Sequence, residues 1–317
     1  MAAAMLIALS LDLALGWPQA WLRRIGHPVT WLGWLIARLE ARWNRPHLAP
    51  ATRIALGGLA SALVILAATL PALAVALAVA LALPPGWAFI LVTGVLAWPL
   101  LAARSMAQHV RAVEAPLAQG DLPAARRAVS MIVGRDTARL DTAGVARAAT
   151  ESLAENASDG VVAPLVWGVF LGLPGIAAYK AINTLDSMIG HRSARYHAFG
   201  RLAARLDDAV NWIPARLTAL VYAGLAARPR AAFALMLRDA RHHRSPNAGW
   251  PEAAMAAALG VRLSGPRSYG EGIRDEPWVN EGAPDPGAAD LGRALRLSGR
   301  GLAVLAVGLA ALAVLLR

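Results

Sequence analysis

The chain has 317 residues, 57% of them hydrophobic and only 16% charged, with a formal net charge of +11 and no cysteine. A soluble domain carries about a quarter charged residues, so this is membrane-protein composition, and disulfides, thiolate nucleophiles and cysteine-ligated metals are excluded. The positive charge is all arginine except Lys180; it lies between apolar runs, where the positive-inside rule or anionic ligands would put it, and no nucleic-acid-binding signature accompanies it.

Residues 1–11, "MAAAMLIALSL", lack the basic start of a signal peptide, and Asp12 follows directly. They are expected to form an uncleaved, membrane-associated helix. "IGHPVTWLGWLIARLEARWN" then brings His27, Glu40 and Asn44. His27, beside a proline, is either structural or catalytic. Five of the 11 tryptophans fall at 17, 21, 31, 34 and 43. An interfacial aromatic belt accounts for them first, and a stacking surface for a flat ligand second.

Between Arg53 and Arg104 there is no charged residue or histidine, enough for two spans of about 20 residues each. "LPPGW" at 83–87 breaks the run, which predicts a helical hairpin over 54–83 and 87–103. Gly120-Asp121-Leu122-Pro123 ends one helix and starts another. Residues 139–156 read as helix into "ESLAENASDG". Glu151 and Glu155 share a face there. Asp159 extends that face if the helix continues, although Asn156 and Gly160 predict an end nearby. Such acids suit Mg²⁺, which prefers oxygen ligands; capping or pairing with Arg147 is the alternative. The apolar run 161–178 is long enough to span but has polar, basic flanks on both sides. It is either a simple span or a re-entrant or buried helix, with Gly172, Pro174 and Gly175 marking broken backbone.

Asn183, Asp186 and Ser187 follow at spacings of three and four, as a functional face or a turn. In "RLAARLDDAVNWIPARL", Leu202, Leu206, Ala209, Val210 and Ile213 form an apolar stripe at helical spacing. Asp207 and Asn211 share another face, as do Arg201, Arg205 and Asp208. Aspartates with arginine a turn away suit a metal-bound phosphate, or else the internal ion pairs of a surface helix. Ser245 and Asn247 precede "GWPEAAMAAALG", where Pro251 in the first turn and Gly260 at the end bound a helix. That loop caps the helix or offers its free N–H groups to an anion. Residues 265–290 are Gly/Pro-rich and expected to be loop. Residues 301–316 read as a C-terminal span, with Arg300 and Arg317 snorkelling outward.

The fold expected is therefore all-α: a polytopic integral membrane protein with a polar, mostly helical catalytic region between spans. Its divisions are an N-terminal membrane region 1–103, a catalytic region 104–300 that includes the apolar run 161–178, and a transmembrane helix 301–317. Walker A, GxGxxG, HExxH and GxSxG motifs are absent.

The block from "ESLAENASDG" to "WIPARLTAL" resembles the adenosylcobinamide-phosphate synthases of cobalamin biosynthesis, the CobD/CbiB family. "LDLALGWP", "HPVTWLGWLIARLE" and "SPNAGWPEAAMAAALGVRLSGPRSYG" are similar to its other blocks, in the same order, over about residues 10–275. Trp17 departs from an acidic residue expected after the glycine. The resemblance implies an ATP- and Mg²⁺-dependent acid–amine ligase of the bacterial inner membrane, multi-pass, with its active region cytoplasmic. It would join adenosylcobyric acid to (R)-1-aminopropan-2-ol or its O-phosphate, and associate with other late enzymes of that pathway. Residue type and motif membership then assign Mg²⁺ to Glu151, Glu155, Asp159, Asp207 and Asp208. Arg192, Arg195, Arg205, Arg216 and Asn247 would contact phosphates, and Asp186 or His27 would be the base. Two rivals stand beside this reading. One is a membrane Asp-rich phosphoalcohol or prenyl transferase; the other is a corrinoid-binding sensor or transporter without catalysis.

Overall fold

The computed structural model describes residues 1–269, 272–274 and 276–316. The chain is an all-α polytopic membrane protein. In order, its helices are α1 (Ala2–Leu15), α2 (Gln19–Ile25), α3 (Pro28–Trp43), α4 (Pro50–Ala82), α5 (Trp87–Ala97), α6 (Ala103–Ala118), α7 (Leu122–Val129), α8 (Thr142–Ala157), α9 (Ala163–Ile189), α10 (Arg201–Val210), α11 (Trp212–Gly224), α12 (Pro229–Asp239), α13 (Gly249–Leu259) and α14 (Ala288–Leu315). Among the described residues, four helical stretches are long and apolar enough to cross a membrane: Pro50–Ala82, Trp87–Ala118, Thr142–Ile189 and Ala288–Leu315. A fifth follows if Ala2–Leu15 and Ala20–Trp43, bent by 101°, count as one broken span.

The boundaries follow local chemistry. α4 stops where the Pro84-Pro85-Gly86 sequence removes backbone donors, as the hairpin reading requires. Asp121 caps α7 by accepting from the Ala124 N–H at 2.9 Å, and Asp141 caps α8 by accepting from Gly144 at 2.7 Å. Each satisfies a donor that a helix start otherwise leaves unpaired. α13 closes on Gly260 in the left-handed conformation, φ 70°, the usual glycine stop.

Two expectations are corrected. The helix carrying Glu151 does not end at Asn156 or Gly160; one π-helical turn, Ser158–Val162, carries it into α9. The run 161–178 therefore lies inside the helical stretch 142–189. Its backbone does break at Gly172 (φ 63°, ψ −149°), a conformation that favours glycine, with Pro174 just beyond. Second, 265–290 is not all loop. Short antiparallel pairs form between β1 (Leu263–Ser264) and β4 (Trp278–Val279), and between β2 (Arg267–Tyr269) and β3 (Gly272–Arg274). Parts of that expectation, and of the family block ending at Gly270, fall outside the described residues, as does Arg317.

The chain divides into two compact units. Where sequence composition separates 1–103, 104–300 and 301–317, packing interleaves them. The first unit is Met1–Ala102, Ala163–Asn211 and Gly308 onward; the second is Ala103–Val162 and Trp212–Val307. In the first, α4 packs against α9, α3 and α10, around Ile36, Val64, Leu185 and Phe199. Gly57 lets α4 approach closely: a Cβ there would lie 1.8 Å from the Phe199 carbonyl oxygen. In the second, α13 lies among α8, α11 and α12, with Val145, Leu153, Met255, Leu263 and Leu291 fully buried.

Candidate functional site

Within the first unit, polar side chains gather where α9 meets α10. Asp207 is the centre. Asn211, one turn along, donates its amide to Asp207 Oδ2 at 2.9 Å, and Asn183 of α9 donates to Oδ1 at 3.4 Å. Tyr179 fixes that geometry: its hydroxyl donates to Asn211 Oδ1 at 2.9 Å, and both residues are 1% exposed. The face shared by Asp207 and Asn211 is thus real, and it is turned toward α9. Burial, then the charge of Asp186, pushes the Asp207 carboxyl up to about 7, against the two amides, which favour its ionised form. Burial likewise raises Asp208, opposed by the Arg192 guanidinium. Asp186, Asp207 and Asp208 therefore sense one another, and repulsion among half-buried carboxylates is what a cation would relieve. Among the described residues, no three His, Asp or Glu side chains are already gathered as metal ligands.

The other first-unit candidates divide. Arg192 and Arg205 are exposed on the surface. Arg195 makes a two-pronged ion pair with Glu40, 2.9 and 2.8 Å. Its carbonyl accepts from Asn44 at 3.0 Å and also from Arg53. This knot, in which Glu40 and Asn44 are buried and Arg195 is exposed, ties α3 and the start of α4 to the segment before α10, so Arg195 acts as a structural partner. His27 is likewise engaged. Its Nδ1 accepts from the Val29 N–H at 3.2 Å in a capping box with Thr30, and its ring meets the Pro99 backbone. Trp17 meets its ring edge-on at 5.1 Å between centroids, and Trp17, Trp21 and Trp98 pack on one another at 5.6–6.2 Å.

The second unit holds the remaining candidates. Glu151 is buried, but its partner is not Arg147. Arg135 donates to Oε2 at 2.9 Å, and the Ser264 backbone N–H donates to Oε1 at 2.7 Å. Arg147 instead pairs with Asp285 at 2.7 Å. Glu155 is exposed, and Asp159 is half-buried in the π turn. The network continues beyond what sequence suggested. Ser264 Oγ donates to Glu252 Oε2 at 3.3 Å, and His243 Nε2 lies 3.7 Å from Glu252 Oε1. Glu252 is 2% exposed. In the sequence it reads as an ordinary first-turn acid of α13, which hides its burial.

Arg216 has the clearest ligand-binding chemistry. Its guanidinium stacks on Trp212 and Trp250, 4.2 and 4.7 Å from their centroids. It donates to the Trp212 carbonyl at 2.8 Å and to Asn247 Oδ1 at 3.1 Å. Burial lowers its pKa, yet it stays a cation. Asn247, 5% exposed, belongs to a loop folded on Ser245, whose hydroxyl accepts from the Asn247 and Ala248 N–H groups at 3.2 Å each.

Comparison with known proteins agrees with the motif resemblance. A family model described as "CobD/Cbib protein" matches residues 5–298. "Cobalamin biosynthesis protein CobD" of Rhodobacter capsulatus is 60% identical over 313 residues, 98% of this chain and 97% of that protein. Proteins of the same name from Brucella anthropi and Rhizobium meliloti are 47% and 46% identical, covering 92% and 87% of this chain and 90% and 86% of their own. No solved structure matches the chain. The chain belongs to the CobD/CbiB family of cobalamin-biosynthesis proteins.

Proposed function

We propose that the protein is an adenosylcobinamide(-phosphate) synthase, an ATP-dependent ligase of the bacterial inner membrane. It joins a corrinoid carboxylate, adenosylcobyric acid, to (R)-1-aminopropan-2-ol or its O-phosphate. The observation that carries the reading is the cluster of half-buried carboxylates Asp186, Asp207 and Asp208 at the junction of α9 and α10, in a family of cobalamin biosynthesis.

A carboxylate and an amine do not condense at useful rates in water. Transfer of a phosphoryl group from ATP to the corrinoid carboxylate gives an acyl phosphate and ADP. The amine then attacks the acyl carbon, a C–N bond forms, and the C–O bond to phosphate breaks. Phosphoryl transfer is mostly positioning and charge neutralisation. Mg²⁺, when bound, supplies that neutralisation at the phosphates. Asp207 and Asp208 are its proposed holders, since their mutual repulsion favours a cation; Glu155 and Asp159, within the second unit, are candidates for a separate Mg²⁺. Glu151, already bonded to Arg135 and the Ser264 backbone, serves as a positioning residue. Arg216 and Asn247 bind phosphate, the guanidinium being held flat by two indoles and so pre-oriented. Asp186 is the proposed base for the amine; His27, with its ring engaged by backbone, holds the start of α3.

The reading predicts ADP release only when both the corrinoid acid and the amine are present. A phosphoalcohol or prenyl transferase would instead release pyrophosphate or a nucleotide without the corrinoid, and a sensor would bind corrinoid and leave ATP intact.

A further inference from the structure

α4 is the least buried of the four spans. Only 6% of its apolar stretch is packed within the chain, against 17–61% in the others. Its inner face carries Val64, Ile65 and Ala68, which join the core around Ile36 and Phe199. The opposite face is ordered. Leu59, Leu63, Leu66, Leu70, Leu73 and Leu77 follow one another at spacings of four, three, four, three and four, and all are 40–56% exposed. In a heptad lettered a to g, Leu63, Leu70 and Leu77 take the a positions, and Leu59, Leu66 and Leu73 the d positions. The e and g positions from 60 to 76 are all alanine apart from Thr69, and Pro71 falls at b, off the seam.

A lipid tail accepts apolar side chains in any order, so contact with lipid gives no reason for leucine at each a and d position with small residues on either side. A second helix does. Leucine knobs enter holes on the facing helix, and short flanking side chains let the backbones approach. The seam rises about 27 Å from Leu59 to Leu77, close to the hydrocarbon thickness of roughly 30 Å. We infer that this face of α4 is the interface of a homodimer, in which the leucine seam packs against the same seam of a second copy. Every copy inserts in the membrane with the same orientation, so the two α4 helices run parallel. Each a or d leucine then meets its own counterpart across a two-fold axis. That self-matching makes a second copy, and not an unrelated helix, the occupant. The half-exposed leucines offer on the order of 500 Å² per protomer, or about 1,000 Å² for the pair, which reaches the lower bound of a specific interface. The dimer does not depend on the ligase reading.

The chain has no cysteine, so single introduced cysteines report proximity without background. The test uses the full chain in phosphatidylcholine vesicles at high lipid excess, oxidised with copper phenanthroline. Leu66→Cys, Leu70→Cys and Leu73→Cys should each give a disulfide-linked dimer, because parallel seams hold their Cα atoms within about 7 Å. Val75→Cys and Ala78→Cys, equally outside the core but at f and b, should not. Energy transfer between labelled copies in the same vesicles gives the affinity. Alanine at 63, 70 and 77 together should raise the dimer dissociation constant roughly tenfold or more. Isoleucine at the same three positions should keep the dimer, since β-branched residues at a suit a two-stranded coil. Equal cross-linking at seam and off-seam cysteines, or an affinity unmoved by the alanines, would give the face to lipid and overturn the inference. Cross-linking in native membranes to a protein of another mass, with the purified chain monomeric in vesicles, would give it to a foreign helix and overturn it too.

Discussion

In the protein without bound ligand, Asp207→Asn removes a carboxyl that titrates at about 7 instead of 3.8. The folded state holds that proton more tightly than the unfolded chain. Below about pH 4 both states are protonated and the site is neutral to stability. From about 4 to 7 the unfolded chain ionises first, so stability falls as pH rises, and above 7 the full cost applies. The gap between 3.8 and about 7 corresponds to roughly 4 kcal/mol. Asp207 is half-buried, so water screening brings the expected effect to roughly 2 kcal/mol. Asparagine has the same shape and no proton to lose. The variant should therefore be more stable than wild type at pH 8 by roughly 2 kcal/mol, match it near pH 4, and turn over poorly. Mg²⁺ at pH 8 should stabilise wild type and leave the variant unmoved. Differential scanning fluorimetry in detergent, from pH 4 to 8.5 with and without Mg²⁺, reads all of this. Identical pH slopes for the two proteins would refute the electrostatic account of Asp207, and equal stabilisation by Mg²⁺ would move the metal elsewhere.

Three further outcomes are expected. Arg135→Ala leaves Glu151 buried without its cation and should cost about 3 kcal/mol in thermal or denaturant unfolding, with Glu151→Gln in the same background recovering part of it. Gly57→Ala forces a methyl against the Phe199 carbonyl and should destabilise by about 1–3 kcal/mol, seen as a lower melting temperature with KM values unchanged. Arg216→Lys keeps the charge but loses the flat stack on Trp212 and Trp250; KM for ATP should rise roughly tenfold, with thermal stability nearly unchanged.

Elements set by local rules are legible in the sequence. The hairpin break at 83–87, the caps at Asp121 and Asp141, the glycine stop at 260 and the shared face of Asp207 and Asn211 all follow from a few adjacent residues. What sequence conceals is long-range. Arg147 is one turn from Glu151 and looked like its partner, yet Arg135 and the backbone of Ser264, 113 positions away, take the carboxylate. Arg195 reads as a phosphate ligand because nothing local satisfies it; its acid is Glu40, 155 positions back. The π turn after Asn156 obeys no simple pattern, since Asn and Gly there signal a helix end that the packing of α11 on this turn overrides. Glu252 and His243 lie nine positions apart on either side of a turn, so only the folded chain puts them together. A lone Glu after Pro251 carries no sign of its burial.

The most direct test of the ligase claim is product formation by the purified protein in detergent. Adenosylcobyric acid, aminopropanol phosphate, ATP and Mg²⁺ are supplied together and then each is omitted in turn, with mass spectrometry of the corrinoid as the readout. The account predicts the amide only when all four are present, and its loss in Asp207→Asn. Corrinoid recovered as the free acid from the complete mixture, with the protein folded and binding it, would contradict the account.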